Sequence, residues 1–382
     1  MRFIHTGDWH LGKLLRERSL VDVQEFALDG LVRLAEQVEP DAVVVAGDVF
    51  DRAVAPVEAV RVLDKTLARL TIELRIPVVM IAGNHDSAVR LEYLGGLVAQ
   101  MGLHVVGTVG AEPRGARLRG RDGVEVVFWP LAYTDPETAR HALGGDIHSH
   151  EAALQAQLDL VRAQRRDDAR HVAVAHAFVV GAQATESSER PLSVGGTEQV
   201  SRSVFDGFDY VALGHLHLPQ RVGTDAVRYA GSLLQYSFDE VKQRKSVSVV
   251  DLDATGTVTV REEQLPVHRR LCRLEGSFDE VMERPDAADY ADDFVEVVLT
   301  GTEPVIDPMQ RLRAVYPNVL SLRREEWLAE TRAQASLDVP TMSTRELFGE
   351  FFREATQQEL TELQQDEVDA ALTATSRDRR EG

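Results

Sequence analysis

The apolar run Pro77-Val78-Val79-Met80-Ile81-Ala82 ends abruptly in Gly83-Asn84-His85-Asp86. The run reads as a buried strand, and a small residue, an amide, an imidazole and a carboxylate crowd its tip. Such polar residues are poor strand formers, so chemistry explains their placement better than structure does. The same ending recurs along the chain. Arg2-Phe3-Ile4-His5-Thr6 runs into Gly7-Asp8-Trp9-His10-Leu11-Gly12, and Ala42-Val43-Val44-Val45-Ala46 into Gly47-Asp48-Val49-Phe50-Asp51. The apolar runs 171–175 and 210–213 end in His176 and in Gly214-His215-Leu216-His217. In an open α/β sheet the carboxyl ends of the strands form the binding edge, so groups far apart in sequence can converge there.

Apolar residues at helical spacing predict helices over 20–37, 56–74, 88–101 and 151–165. Strand and helix alternate through residue 101, the rhythm of an α/β sheet with helices on its faces. Further strands over 124–129, 228–230, 246–250 and 257–262 predict a second sheet packed against the first. The character changes around Leu265-Pro266, after which strands at 271–274, 294–299 and 319–322 alternate with helices at 278–283 and 308–315. Residues 330–340 are polar with weak periodicity, as in a linker. Ser343-Thr344-Arg345-Glu346 is a capping-box pattern that opens a helix carrying Leu347, Phe348, Phe351 and Phe352. A second helical stretch carries Leu360, Leu363, Val368 and Leu372.

With 382 residues the chain is long enough for two or three domains, and 44% hydrophobic with 27% charged residues describes a soluble protein with sizeable cores. No apolar run approaches the ~20 residues of a membrane span, and no signal segment precedes the first strand. A single cysteine, Cys272, leaves no internal disulfide framework, which predicts a reducing, cytoplasmic setting. The formal charge of -20 argues against a general nucleic-acid coat. That argument is weak where bound metal compensates the carboxylates or where one groove is locally basic.

The strand tips offer Asp8, His10, Asp48, Asn84, His176, His215 and His217, seven donors and so too many for one ion but suited to two. Asp48, placed midway, would bridge the pair. Imidazole, carboxylate and amide donors suit manganese, iron or zinc better than calcium or magnesium. Without a thiolate the set does not read as structural zinc. Such a pair activates water and neutralises phosphoryl oxygens. His85, beside Asn84, would then protonate the leaving oxygen or stabilise the charged transition state. Asp51 is placed to orient His85 through its carboxylate.

Together, Asp8-Trp9-His10, Gly47 to Asp51, Gly83 to Asp86, His176 and Gly214 to His217 resemble the signature blocks of the calcineurin-like metallophosphoesterases. Residues 6–12 and 210–217, Gly231-Ser232 and Tyr236-Ser237-Phe238 narrow the resemblance to the SbcD nucleases of bacterial SbcCD complexes. The resemblance implies an α/β metallophosphoesterase fold of two packed mixed β-sheets flanked by helices over 1–265. It implies an α+β capping domain over 266–328 and a partner-binding helix pair over 343–375, while the residues themselves read as a linker over 329–342 and a disordered tail over 376–382. One metal would be held by Asp8, His10, Asp48 and His217, the other by Asp48, Asn84, His176 and His215. The resemblance further implies two divalent ions, manganese by preference, and DNA phosphodiester cleavage in end and hairpin processing. The expected partners are an SbcC-type coiled-coil ATPase and a second copy of the chain, in a heterotetramer away from any membrane.

Bland readings stand beside these. A lone Asp-x-His is usually accidental, and Gly-Asn-His-Asp alone fits a turn; their joint occurrence after buried strands is what outweighs chance. His5 reads as a core histidine, and His104, His141, His148, His150, His171 and His268 as surface or loop residues. Cys272 reads as a small buried hydrophobe. Candidate DNA contacts are Lys13, Arg16, Arg18, Arg52 and the group Arg114, Arg117, Arg119 and Arg121, the last more simply a solvated hairpin. Competing functions are hydrolysis of a nucleotide or small phosphodiester and, from another class, an adaptor with a retired site. The complete donor set argues against the adaptor.

Overall fold

The computed structural model describes residues 1–184, 199–301 and 304–324, together with positions 353, 360, 361, 364 and 365. The expected linker, most of the helix pair and the tail lie outside the described residues. Contacts divide the chain into the units Met1–Leu322 and Arg323–Gly382. The first unit contains two large sheets and the helices that cover them.

The strands of those sheets are β1 (Arg2–Thr6), β2 (Ala42–Ala46), β3 (Val78–Ile81), β4 (Leu103–Val106), β5 (Ala116–Arg119), β6 (Glu125–Pro130), β7 (Arg170–His176), β8 (Tyr210–Gly214), β9 (Gln220–Val222), β10 (Thr224–Tyr229), β11 (Val247–Leu252) and β12 (Val258–Glu263). Each sheet has six strands, ordered β12-β11-β1-β2-β3-β4 and β9-β10-β8-β7-β6-β5. Pairing is parallel from β1 through β4 in the first sheet and along β6-β7-β8-β10 in the second; β11 and β12 add antiparallel pairs on one side of the first sheet, and β5 and β9 close both edges of the second antiparallel. All five residues of β2 are fully buried, as its unbroken apolar run requires.

Alternation along each strand sorts the core into layers. Phe3, Val44, Ala46, Val79 and Ile81 face inward and meet Phe128, Val172, Val174, Tyr210 and Ala212 of the second sheet. Phe3 sits edge-on against Phe128 and Tyr210, at 5.3 and 5.4 Å between ring centres. The outward residues Ile4, Val43, Val45, Val78 and Met80 pack on helices α1 (Val21–Val38) and α2 (Val57–Ala68). On the far side, Val127, Trp129, Ala173, Ala175, Val211 and Leu213 take Leu154, Leu158 and Val161 of α3 (His150–Gln164). The fold is therefore four-layered, helix on sheet on sheet on helix. His5 lies within the inter-sheet layer as expected, its Nδ1 3.0 Å from the Tyr210 hydroxyl and its Nε2 3.2 Å from the Leu213 carbonyl. Burial lowers its pKa to about 3, so it packs as a neutral ring.

Three expectations are corrected. The late strands β11 and β12 do not build the second sheet; they return to the first, where β11 pairs antiparallel with β1. Alternation says that one face of a strand is buried but not which sheet receives it, and here the free edge of β1 takes the returning chain. The segment 88–101 is not one helix but three short pieces, Ala88–Leu91, Gly95–Val98 and Ala99–Met101, with Leu94 in the left-handed region. Gly95 and Gly96 weaken a continuous helix, and the Glu92 side chain leaves to accept from the Gly107 and Thr108 amides. His171 is buried rather than on the surface, taking the Trp129 indole N–H at 3.0 Å.

After β12 comes a three-stranded sheet of β13 (Leu271–Gly276), β14 (Phe294–Leu299) and β15 (Val319–Arg324). Helices α4 (Phe278–Met282) and α5 (Pro308–Val315) supply Phe278, Val281 and Leu312 to its own core. Leu271 and Phe294 also join the core around α1, which seats this small α+β layer on the sandwich. Cys272 is only half-buried, its sulfur 3.5 Å from Asp293, and burial with that carboxylate raises the thiol to about 11. It is an inert thiol at neutral pH.

The ends of β2 and β8 approach closely across the two sheets. A Cβ on Gly214 would stand 1.9 Å from the Ala46 carbonyl oxygen and 2.9 Å from His176 Nδ1. Gly214→Ala should therefore cost about 1–3 kcal/mol of stability as an overpacked site, measured as a lower urea midpoint at unchanged slope.

Candidate metal centre

The carboxyl ends of β1, β2, β3, β7 and β8 meet at one edge of the sandwich, each continuing into its polar tip. The backbone there is held in uncommon conformations. Asp8, His10 and Asp48 have φ of 49°, 43° and 48°, and His215 has 102°. Each such conformation costs about 1–3 kcal/mol and persists only where its surroundings impose it. The surroundings are a ladder across the loops. The Asp8 amide donates to the Gly47 carbonyl (3.0 Å), that of His10 to Asp48 (2.9 Å) and that of Leu11 to Val49 (2.9 Å). The His215 amide donates to Asp8 Oδ1 at 2.8 Å, tying the second sheet to the first. The Asp86 carboxylate accepts from the Val49, Phe50 and Gly83 amides at 3.0, 2.8 and 2.9 Å, which locks the β2 tip to the β3 tip. A Cβ on Gly83 would lie 2.1 Å from Asp48 Oδ1, so only glycine lets that carboxylate sit where it does.

The side chains converge as acceptors. His176 Nδ1 lies 2.9 Å from the Ala46 carbonyl and so donates there, which turns the Nε2 lone pair inward. That Nε2 lies 2.8 Å from Asn84 Oδ1 and 3.4 Å from Asp48 Oδ2, while His215 Nδ1 lies 3.1 Å from the same amide oxygen. On the other side, His217 donates from Nδ1 to Glu240 at 2.9 Å, and its Nε2 faces His10 Nε2 at 3.1 Å. His10 Nε2 is 3.6 Å from Asp48 Oδ2, so Asp48 stands between the two groups of rings. Asp8 Oδ2 and His10 Nδ1 are buried without a hydrogen-bond partner among the described residues. Asp8, His10, Asp48, His176 and His217 are all buried.

Lone pairs aimed at lone pairs in a buried pocket are what divalent cations resolve, so the residues present fit a metal pair. The electrostatics agree. Burial pushes the Asp8 carboxyl up to about 6, with the Asp48 charge adding to it against the opposing pull of His176. Burial alone would depress His176, but Asp48 and Asp8 outweigh it and raise the ring to about 9. The pocket demands positive charge at this point. Asp8, Asp48 and His176 place one ligand atom each within 4.8 Å of one another, as do His10, Asp51 and His85.

The sequence-predicted residues all gather here, with one change of role. His85 Nδ1 lies 2.8 Å from the backbone carbonyl of Asp51, so residue 51 orients that ring through its main chain. The Asp51 carboxylate holds Lys13 at 2.7 Å and stands 3.6 Å from His10 Nδ1. Three supporting residues escape sequence reasoning. Asp86 belongs to a motif that assigns it no role. Glu240 lies 23 positions beyond its partner His217, a separation that gives no pattern to read. Gln24 on α1 accepts from the Gly12 amide and donates to the Trp9 and His10 carbonyls, at 3.0, 3.0 and 2.7 Å. A lone glutamine inside an amphipathic helix gives no more warning.

Two family models match the chain. One, described as calcineurin-like phosphoesterase, spans residues 1–219. The chain belongs to the calcineurin-like phosphoesterases. The second, an SbcD carboxyl-terminal model described as the type 5 capsule protein repressor C-terminal domain, spans 267–356 and makes the chain SbcD-like. Solved structures of similar proteins include TT1561 of Thermus thermophilus, at 16% identity and TM-score 0.40 over 68% of this chain and 98% of that one. A dimetal phosphatase from Danio rerio stands at 14% identity and 0.44, over 69% and 96%. The phosphoesterase Yfce from E. coli stands at 16% and 0.27, over 70% and 100%. This calcineurin-like phosphoesterase is thus a metal-dependent phosphoester hydrolase with donors for a dinuclear divalent centre.

A divalent cation at a hundred times its dissociation constant should raise the stability of this metallophosphoesterase by about 2.7 kcal/mol for each site it fills. The increment should appear as a higher melting temperature that a chelator reverses, and Asp48→Asn should lose most of it.

Proposed function

We propose that the chain is the DNA nuclease subunit of an SbcCD-type complex. The observation that carries this reading is the succession, in one chain, of a calcineurin-like phosphoesterase match and an SbcD carboxyl-terminal match. In this reading Asp8, His10, Asp48 and His217 hold one metal, and Asp48, Asn84, His176 and His215 hold the other. Manganese is the ion assigned. When bound, the pair supplies an activated water and neutralises charge on the phosphoryl oxygens.

The chain's own residues do the rest. Asp48 lies between the two sets of imidazoles, its Oδ2 3.6 Å from His10 Nε2 and 3.4 Å from His176 Nε2, while its Oδ1 accepts from the His85 amide at 3.0 Å. His85, fixed at Nδ1 by the Asp51 carbonyl, exchanges a proton with the leaving oxygen from Nε2. Lys13, held by Asp51, adds positive charge beside the site. DNA contacts fall to Lys13, Arg16, Arg18 and Arg52, which flank the first two strand tips. Arg114, Arg117, Arg119 and Arg121 are each paired with carboxylates, among them Glu92, Glu125, Glu39 and Asp41, so the hairpin's charge is largely spent. The helix pair expected over 343–375 is assigned to an SbcC-type ATPase; most of it lies outside the described residues.

A homodimer is supported by the broken segment 88–101. Val89, Tyr93, Leu94, Leu97 and Met101 are 72%, 75%, 52%, 62% and 57% exposed, an apolar concentration that isolated surface residues do not explain. Leu97→Glu should convert the dimer to monomer in sedimentation velocity. Its far-ultraviolet circular dichroism should stay that of the wild type, which separates loss of association from loss of folding.

Labelled linear and hairpin-ended DNA should be cut in the presence of manganese, and His85→Gln should lower the rate by about 10²–10⁴-fold with metal content unchanged. If the wild-type chain, alone and with its ATPase, leaves DNA intact yet hydrolyses a small phosphodiester, the nuclease reading fails and the small-substrate reading replaces it.

A further inference from the structure

Behind His217 lies a buried charge pair that nothing in the phosphoesterase reading requires. The Glu240 side chain is fully buried at the end of the short helical turn Phe238–Glu240. One oxygen accepts from His217 Nδ1 at 2.9 Å; the other accepts from the Tyr236 amide at 2.9 Å and pairs with Lys245 Nζ at 2.8 Å. Lys245 Nζ also donates to the His217 carbonyl at 2.7 Å, so this pair grips His217 by ring and by backbone. The arrangement fixes which nitrogen of His217 carries the proton and so which one is offered to a metal. Burying a carboxylate and an ammonium is expensive, and a neutral acceptor would satisfy the ring as a hydrogen-bond partner.

The same turn is held from its other side by the small α+β layer. Arg273 on β13 lies opposite Glu296 on β14 in register and binds it at 2.7 Å; Glu296 is fully buried. The Arg273 guanidinium reaches on to Asp239 at 3.3 Å, and Asp239 is the residue before Glu240. Ion pairs, one peptide link and a hydrogen bond therefore run without a gap from Glu296 through Arg273, Asp239 and Glu240 to His217.

We infer that Glu240 is a positioning residue for the metal bound by His217, and that the small α+β layer sets its position through Arg273. The inference rests on the proposed metal assignment. A shift of the small layer against the sandwich would move the turn, release the His217 ring and weaken one metal of the two. The layer would thereby govern the readiness of the centre without touching substrate.

The test is manganese titration of the full chain by calorimetry, with electron paramagnetic resonance to read whether bound ions are magnetically coupled. The variants are Glu240→Gln and Arg273→Met, with far-ultraviolet circular dichroism as a check of folding. Wild type should bind two ions with the spectrum of a coupled pair. Glu240→Gln should keep one affinity and weaken the other by about 10–100-fold, giving an isolated-ion spectrum at intermediate manganese. Arg273→Met, partly exposed and remote from the metals, should weaken that same site by about 5-fold, near the low end of coupling between sites. It also keeps the inference testable if Glu240→Gln does not fold. Two unchanged affinities in a folded Glu240→Gln overturn the role of Glu240, and an unchanged Arg273→Met overturns the link to the small layer. A wild type that binds no metal pair instead refutes the metal assignment itself, and the inference falls with it.

Discussion

The structure turns on the approach of β2 to β8 at the edge of the sandwich. His176 bonds the Ala46 carbonyl, His215 bonds Asp8, and Gly214 has no side chain to keep the two strand ends apart. Two sheets packed face to face normally stand about 10 Å apart, with interdigitated side chains between them. Here they close to backbone contact. Because the donors come from both sheets, the centre exists only while that contact holds, and the apolar layer of Phe3, Phe128 and Tyr210 is what holds it.

Rigidity at the centre is imposed from outside it. The unusual backbone at Asp8, His10 and Asp48 is maintained by amide ladders, by the three bonds to Asp86 and by Gln24 beneath Trp9 and His10. Donor atoms held this way need no rearrangement when a cation arrives, so the binding free energy is not consumed in ordering loops. The cost is borne by the fold as strained backbone and crowded acceptors. That cost explains why so many supporting polar groups are buried around so few donors.

The donor set is legible in the sequence because each donor follows a buried strand and the strands share one direction. Asp8, His10, Asp48, Asn84, His176, His215 and His217 all arrive at the expected edge. The orientation of His85 is only half legible: spacing identifies residue 51 as its partner but cannot separate a carboxylate from a main-chain carbonyl. Glu240, Asp86 and Gln24 stay hidden because they act through contacts that carry no periodicity. The segment 88–101 reads as one helix because apolar spacing does not register a side chain such as Glu92 that leaves the helix to cap a neighbouring loop.

By itself the sequence determined the α/β class, the strands and their polar tips, and the small α+β layer after them. Those are consequences of local patterning, since burial period and turn chemistry act within a few residues of one another. Tertiary structure alone decided that β11 and β12 return to the first sheet, which atoms face each other across the centre, and which cations are spent in ion pairs. It also decided that the layer after residue 270 reaches back to the turn behind His217. These are matters of which surfaces meet, and they arise from packing two sheets and their helices together rather than from any stretch of chain read alone.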